Sequence, residues 1–325
     1  METKEHVRYC NRLHIMIMQR GKVETNMKKE EDNKLDNELL LFDRIGVIKK
    51  TIEKYGEDKC YLSFSGGKDS TVLHYLLDIA IPNNKIKRVY ANTGIDYKAI
   101  TEFVKELAKN DDRFVILNPK TNIKKMLEQD GYPFKSKHHS EMVAVYQRNN
   151  ESMSALKYRD GEYNFNSNKC PKVLKYQFEN GYNKLKISDK CCFNVKEKPL
   201  REYESENNMK VCIVGLMREE GGRRESTKCF VKYPKGMYHF HPLAVVTKEW
   251  EDWIIEKYDI KLCDLYYPPY NFERTGCVGC PYNIKLQKYL DILGELLPNE
   301  RIRAEVIWKP VYEEYRRIGY RLRCK

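Results

Sequence analysis

No apolar run in this chain approaches the roughly 18 residues of a membrane span. The candidate nearest the N-terminus, Leu13 to Met18, is short and runs into charge, so it lacks the continuous core of a secretory leader. A cytoplasmic protein with no membrane partner is the expectation. Internal repeats are absent, which sets aside repeat architectures. Acidic charge is outnumbered: 59 Lys and Arg stand against 47 Asp and Glu, a formal net charge of +12. That excess favours a polyanionic partner, a nucleic acid or a phosphorylated substrate, and it is equally what a lysine-rich solvated surface gives.

What is present is length and cysteine. The 325 residues suffice for one large domain or two ordinary ones. Eleven cysteines are many for an intracellular chain, and in a reducing compartment clustered thiols point to metal or catalysis before disulfides. The sequence up to about residue 37 is charged and reads as exposed or loosely ordered, and a helix follows that ends at Gly56. Then strand-like runs alternate with helical ones: KCYLSFS, a helix from about Asp69 to Ile79, KIKRVYANTG, a helix in DYKAITEFVKELAKN, and RFVILNP. That is the signature of a parallel sheet with crossover helices, whose ligands sit at the carboxyl ends of the strands. Farther on, SEMVAVYQRNNESMSALKY, TKEWEDWIIEKYDI and the tail from about Pro298 to Tyr320 read as helical, and VCIVGL as a buried strand. The expected division is a charged segment and helix over 1–56, an α/β domain over 57–245 and a helical segment over 246–325.

The first chemical motif is Ser65-Gly66-Gly67-Lys68-Asp69-Ser70, between the first strand and its helix. Glycines let a backbone approach an anion, and a helix start offers unpaired N–H groups. The spacing is not that of a Walker A loop, which has four residues between its glycines and then Gly-Lys-Ser/Thr. A glycine turn capped by Asp and Ser is the plain alternative. The hexapeptide resembles the signature of the PP-loop ATP pyrophosphatases, which cleave ATP between its α- and β-phosphates. That resemblance implies a three-layer parallel-sheet nucleotide-binding fold of the adenine nucleotide alpha-hydrolase-like type. It implies a phosphate cradle from Ser63, Ser65, Gly66, Gly67, Lys68, Asp69 and Ser70, with Lys68 and Asp69 catalytic and Mg²⁺ offsetting charge. Asn92-Thr93-Gly94 ends the next strand and is expected at the adenosine or α-phosphate.

The second motif is cysteine. Cys191-Cys192 and the pair Cys277 and Cys280 in RTGCVGCPY can together surround one metal centre, with Cys170 a competitor for one place. Adjacent thiolates suit neighbouring irons of a cube better than a single zinc. The run Cys191-Cys192, three residues, Lys196, two residues, Pro199-Leu200 resembles the iron–sulfur segment of adenosine phosphosulfate reductases. FHPLAVVTKEWEDWIIEKYDIKLCDLYYPPYNFERTGCVGCP resembles their later stretch, and VGLMREEGGRRES their phosphate- or sulfate-binding segment. From about 58 to 282 the chain is thus similar to the phosphoadenosine-phosphosulfate reductase family. The resemblance implies Gly215, Arg218, Arg223 and Arg224 at the anionic end of the substrate, with Glu219 and Glu220 orienting them and Arg218 catalytic. It implies a C-terminal α-rich segment that carries the cysteine pair, and a 4Fe–4S cluster in preference to zinc. Cys212 lies in an apolar strand and reads as core; His138, His139, His239 and His241 read as metal ligands or bases, or as packing and surface residues. The reductases' near-terminal nucleophilic cysteine has only Cys324 as counterpart, without the Glu-Cys-Gly context.

A reductase of adenylyl sulfate needs no pyrophosphate cradle, whereas this chain keeps the loop whole. The combination looks more like ATP-dependent sulfurtransferases that thiolate nucleic acids. The expected ligand is ATP, or adenylyl sulfate in the rival reading of a reductase that releases sulfite; a nucleotide-binding component of a defence or regulatory complex is the third. The expected partners are an adenine nucleotide, a nucleic-acid substrate, a sulfur donor such as a cysteine desulfurase, and a second copy in a homodimer.

Overall fold

The structure is a computed structural model that describes residues 26–162, 169–179, 181–182, 184–221, 224–233 and 236–324. In chain order its longer elements are α1 (Asn26–Tyr55), β1 (Cys60–Phe64), α2 (Lys68–Ala80), β2 (Lys87–Ala91), α3 (Lys98–Asn110) and β3 (Phe114–Leu117). Then come α4 (Ile123–Asp130), α5 (Lys137–Arg148), α6 (Met153–Asp160), the short α7 (Lys190–Cys192), α8 (Lys198–Glu206) and β4 (Val211–Val214). The chain closes with β5 (Phe230–Lys232), β6 (Tyr238–Phe240), α9 (Lys248–Lys257), α10 (Leu286–Leu296), α11 (Pro298–Ile307) and α12 (Lys309–Arg317).

Among the described residues the strands form one six-stranded sheet in the order β3-β2-β1-β4-β6-β5. β1 pairs in parallel with β2 and β4, β4 in parallel with β6, and only β5 runs antiparallel, against β6. The fold is thus the mostly parallel α/β sheet that the strand–helix alternation predicts. Central β1 is covered on both faces, with Tyr61 on one side and Leu62 on the other fully buried. The register pairs Phe64 with Tyr90, so β1 and β2 end level.

Chain contacts divide the protein into two compact units. The first holds residues up to Tyr90, Glu102–Ile116 and Glu202–Tyr266, and contains the heart of the sheet with α1, α2 and α9. The second holds Ala91–Thr101, Leu117–Arg201 and Tyr267–Lys325, with α4 to α7 and α10 to α12. Its core includes Phe134, Trp308, Tyr312, Tyr315 and the fully buried His139. Burial lowers the His139 pKa to about 3, and its ring nitrogens meet Tyr158 Oη at 2.9 Å and Gln177 Oε1 at 2.7 Å. It is a neutral packing residue.

Three expectations about elements need correction. α1 starts at Asn26, so the stretch 26–37 is helical and not loose, while residues 1–25 lie outside the described residues; the stretch 26–37 holds three Lys and two Glu, with no Gly or Pro. SEMVAVYQRNNESMSALKY is two helices, because Asn149-Asn150-Glu151-Ser152 favours a turn. The tail breaks at Trp308, because Pro310 in the first turn of α12 has no N–H to continue α11. No helix among the described residues is long and apolar enough to cross a membrane.

Candidate functional site

β1 delivers the chain into Ser65 and a backbone turn. Gly66 stands at φ +70°, a conformation that disfavours any side chain. Gly67 then starts α2 without a side-chain cap. The serines brace the turn: their hydroxyl oxygens lie 3.0 Å apart, Ser65 N donates to Ser70 Oγ at 3.2 Å, and Ser70 Oγ donates to Gly67 O at 2.9 Å. Lys68 N donates to Tyr266 Oη at 3.0 Å. Gly215, which follows β4, lies directly behind this helix start. A β-carbon there would meet Asp69 C and O at 2.9 Å and Ser70 N at 3.0 Å. Ser63 belongs to the β1 ladder, between Val89 and Val214.

The motif did not reveal three partners of the loop. Lys68 Nζ lies 2.7 Å from Asp252 Oδ1 and 3.1 Å from Glu251 Oε2 on α9. Burial pulls the Lys68 pKa down, but the bond to Asp252 and the Glu251 charge outweigh it and hold the group above the ordinary lysine value. Glu251 has no solvent exposure, and neither of its oxygens finds a hydrogen-bond partner of good geometry. Burial first, then the Asp69 charge, push its carboxyl up to about 7, against the opposing pull of Lys68. A signal for Glu251 existed: Trp250, Glu251 and Ile254 are the buried residues of α9, so an acid shares the apolar stripe.

Asn92, Thr93 and Gly94 form a turn within the second unit. Asn92 Oδ1 accepts from Gly94 N at 3.0 Å, Thr93 N donates to Asp96 Oδ2 at 3.0 Å, and Gly94 O accepts from Arg303 at 2.8 Å. Thr93 is buried, with its hydroxyl 4.0 Å from Cys277 Sγ. In the other segment, Arg218 Nε donates to Thr227 O at 2.7 Å, Arg224 pairs with Glu220, and Glu219 accepts from Lys248 N at 2.7 Å. Arg223 lies outside the described residues.

In the second unit, Cys191 and Cys192 end α7, and a π-helical turn over Phe193–Glu197 leads into α8. Pro199, in the first turn of α8, has no N–H with which to close an ordinary helical ladder. Cys277 bridges to Asp96, and Cys280 N donates to Cys277 O at 3.2 Å. The four thiols lie within electrostatic reach of one another and of Lys196. Burial and then Cys277 push Cys280 up to about 12; burial raises Cys277 to about 11 although Lys196 opposes it. Burial, then Cys277 and Cys192, raise Cys191, and Cys277 is the largest cause of the raised Lys196 pKa. Cys170 stands apart: its charged neighbours are Lys135, Lys175 and Asp160. Among the described residues no three of the five thiols lie within 4.8 Å of one another, while a single tetrahedral zinc needs them about 3.8 Å apart.

Known proteins resemble the chain in part. An uncharacterised protein of Methanocaldococcus jannaschii is 33% identical over 119 residues, which are 35% of this chain and 27% of that protein. The chain thus matches about a quarter of that relative's length. FMN adenylyltransferase of Candida glabrata superposes with a TM-score of 0.47 at 13% identity, over 85% of this chain and 71% of its own. Phosphoadenylyl-sulfate reductase of Candida auris, in a phosphate complex, gives 0.41 at 13% identity, over 72% and 93%. NH3-dependent NAD synthetase of Campylobacter jejuni gives 0.40 at 13% identity, over 84% and 93%. The sequence family described as the phosphoadenosine phosphosulfate reductase domain matches residues 59–160 and 153–283, more than half of the chain. The chain belongs to that family.

Proposed function

We propose that this protein binds ATP in the Ser65–Ser70 loop, cleaves it between the α- and β-phosphates, and thereby activates an acceptor for sulfur transfer. The observation that carries the reading is the loop: an intact Ser-Gly-Gly-Lys-Asp-Ser turn, braced by its serines, ahead of a helix that starts without a side-chain cap. Such a turn suits the pyrophosphate that departs. The acceptor oxygen bonds to the α-phosphorus while the bond from that phosphorus to the bridging oxygen breaks, and pyrophosphate leaves. A sulfide-level donor then displaces AMP: a carbon–sulfur bond forms as the carbon–oxygen bond breaks. Lys68 exchanges Asp252 and Glu251 for the phosphates and offsets their charge. Carboxylates beside the loop, Asp69 first and then the poorly partnered Glu251, suit Mg²⁺, which when bound neutralises phosphate charge.

Cys191, Cys192, Cys277 and Cys280 would hold an iron–sulfur cluster. Four clustered thiols beside one lysine are a donor set that a metal centre satisfies by displacing their protons, and a cluster supplies redox-active sulfur chemistry. The test is anaerobic purification with iron and sulfide analysis, followed by incubation with labelled ATP. Pyrophosphate release that Lys68→Ala and Asp69→Ala abolish, with the fold intact, is the expected result. Unchanged turnover in both variants removes the loop from consideration. Sulfite release from adenylyl sulfate without ATP cleavage makes the protein a reductase, and ATP binding without turnover makes it a binding component.

A further inference from the structure

Glu204, Cys212 and His239 place a carboxylate oxygen, a thiol sulfur and an imidazole nitrogen all within 4.8 Å of one another. The sheet builds this group. Cys212 on β4 is the cross-strand partner of His239 on β6, and on its other side it is the partner of Tyr61 on β1. Cross-strand partners project to one face, so Tyr61, Cys212 and His239 form a row. α8 lays Glu204 over that row. Tyr61 Oη donates to Glu204 Oε1 at 2.7 Å, and the Tyr203 ring meets Tyr61 edge-on at 5.6 Å. Tyr61 and Cys212 are buried while Glu204 and His239 are half-buried, so the group has a closed wall and an open side. Tyr61 lies near the amino end of β1, whereas the phosphate loop follows its carboxyl end. The group belongs to the first unit, and the four clustered cysteines belong to the second.

We propose that Glu204, Cys212 and His239 form a zinc site, with an exchangeable fourth position on the exposed side. The donor set is one that zinc takes: one sulfur, one imidazole nitrogen and one carboxylate oxygen, a mixture unsuited to magnesium or calcium. Bond lengths of about 2.0–2.3 Å place tetrahedral ligands about 3.3–3.8 Å apart, so modest side-chain rotation closes the observed spacing. Thiolate and carboxylate together cancel the charge of the ion, so the half-buried site holds no net charge. On binding, the sulfur–hydrogen bond gives way to a sulfur–zinc bond and the proton goes to solvent. The Tyr61 hydroxyl fixes one carboxylate oxygen, as outer partners of metal ligands do. The row thus gives Cys212 a role that an apolar strand does not announce, and it selects the ligand reading of His239 from those the sequence leaves open.

The test loads the full-length protein with excess Zn²⁺, desalts it and counts zinc per chain. Wild type is expected to hold one equivalent more than His239→Ala and one more than Glu204→Gln, and Zn²⁺ should raise its melting temperature by a shift that both variants lose. Glu204→Gln keeps an oxygen for Tyr61, so its metal-free melting temperature should match wild type and it decides the question if His239→Ala does not fold. Cys277→Ser, made in the other unit, should retain the equivalent that these variants lose. Equal zinc content in wild type and Glu204→Gln, with both folded, overturns the proposal.

Discussion

Lys68 Nζ lies 3.1 Å from Oε2 of Glu251, a carboxylate with no exposure to solvent, and the two belong to different helices 183 positions apart in sequence. The same nitrogen reaches the exposed Asp252 at 2.7 Å. Any phosphate that takes Lys68 must compete with both acids. Asp252→Asn should therefore tighten binding of a non-hydrolysable ATP analogue by up to about fivefold, the scale of one exposed ion pair. Calorimetric titration checks it. Weaker binding would make Asp252 an orienting group and not a competitor.

The buried acid also sets a pH dependence. Burial and then Asp69 push the Glu251 carboxyl up from 4.5 to about 7. The folded chain therefore holds this proton more tightly than the unfolded chain does. The resulting stability is fully present below pH 4.5 and is lost as pH rises through about 7. The wild-type melting temperature minus that of Glu251→Gln should fall across that window. A flat difference would mean that Glu251 titrates as an ordinary carboxyl.

Gly215 makes a steric prediction. Its hydrogen faces the backbone of Asp69 and Ser70 so closely that a methyl group would sit 2.9–3.0 Å from atoms that cannot rotate away. Gly215→Ala should cost about 1–3 kcal/mol and displace the helix start, lowering both the melting temperature and ATP affinity. Gly294→Ala is the control. That residue lies exposed in α10 with nothing within 4 Å of an added β-carbon, and alanine there should stabilise by about 0.5–1 kcal/mol. Thermal unfolding of both variants decides.

The loop was legible in the sequence because its information is local: a strand, six residues and a helix are continuous in the chain. Glu251, Asp252 and Tyr266 were not, because nothing near Lys68 in sequence names them; the packing of α9 brings two of them. The strands of the sheet core showed the apolar runs of a parallel sheet, but β5 and β6 are only three residues long and carry polar residues such as His239. The break at Asn149–Ser152 was written in turn-forming residues yet hidden by the helical periodicity on either side. Of the five cysteines that could hold a metal, spacing left two contenders for one place. Only three-dimensional surroundings separate Cys191, beside the other thiols, from Cys170, beside Lys135 and Lys175.

That separation gives the next expectation. Cys277→Ser, Cys280→Ser and Cys191→Ser should each lose the iron and the brown colour of anaerobically purified protein. Cys170→Ser should keep both, because none of the charges that act on its thiol comes from the other four cysteines. Iron analysis of the four variants checks it, and loss of iron from Cys170→Ser with retention in Cys191→Ser would exchange the roles of the two residues.

The C-terminal helices clamp the cysteine turn, and the clamp can be tested apart from the cysteines. Trp308 Nε1 donates to Val278 O at 2.7 Å in a fully buried bond, Tyr312 Oη donates to Gly279 O, and Tyr315 Oη donates to Pro281 O at 3.0 Å. Three successive inward side chains thus hold the backbone between and just after Cys277 and Cys280. Trp308→Phe keeps most of the apolar bulk and leaves the Val278 carbonyl buried without this donor, a cost of about 1–3 kcal/mol. The expected result is a lower melting temperature and faster loss of iron to a chelator, with ATP affinity at the Ser65–Ser70 loop unchanged. Tyr312→Phe should act in the same direction, since it removes only a hydroxyl and strands the Gly279 carbonyl. If both variants release iron at the wild-type rate while melting earlier, the helices stabilise the second unit without positioning its thiols.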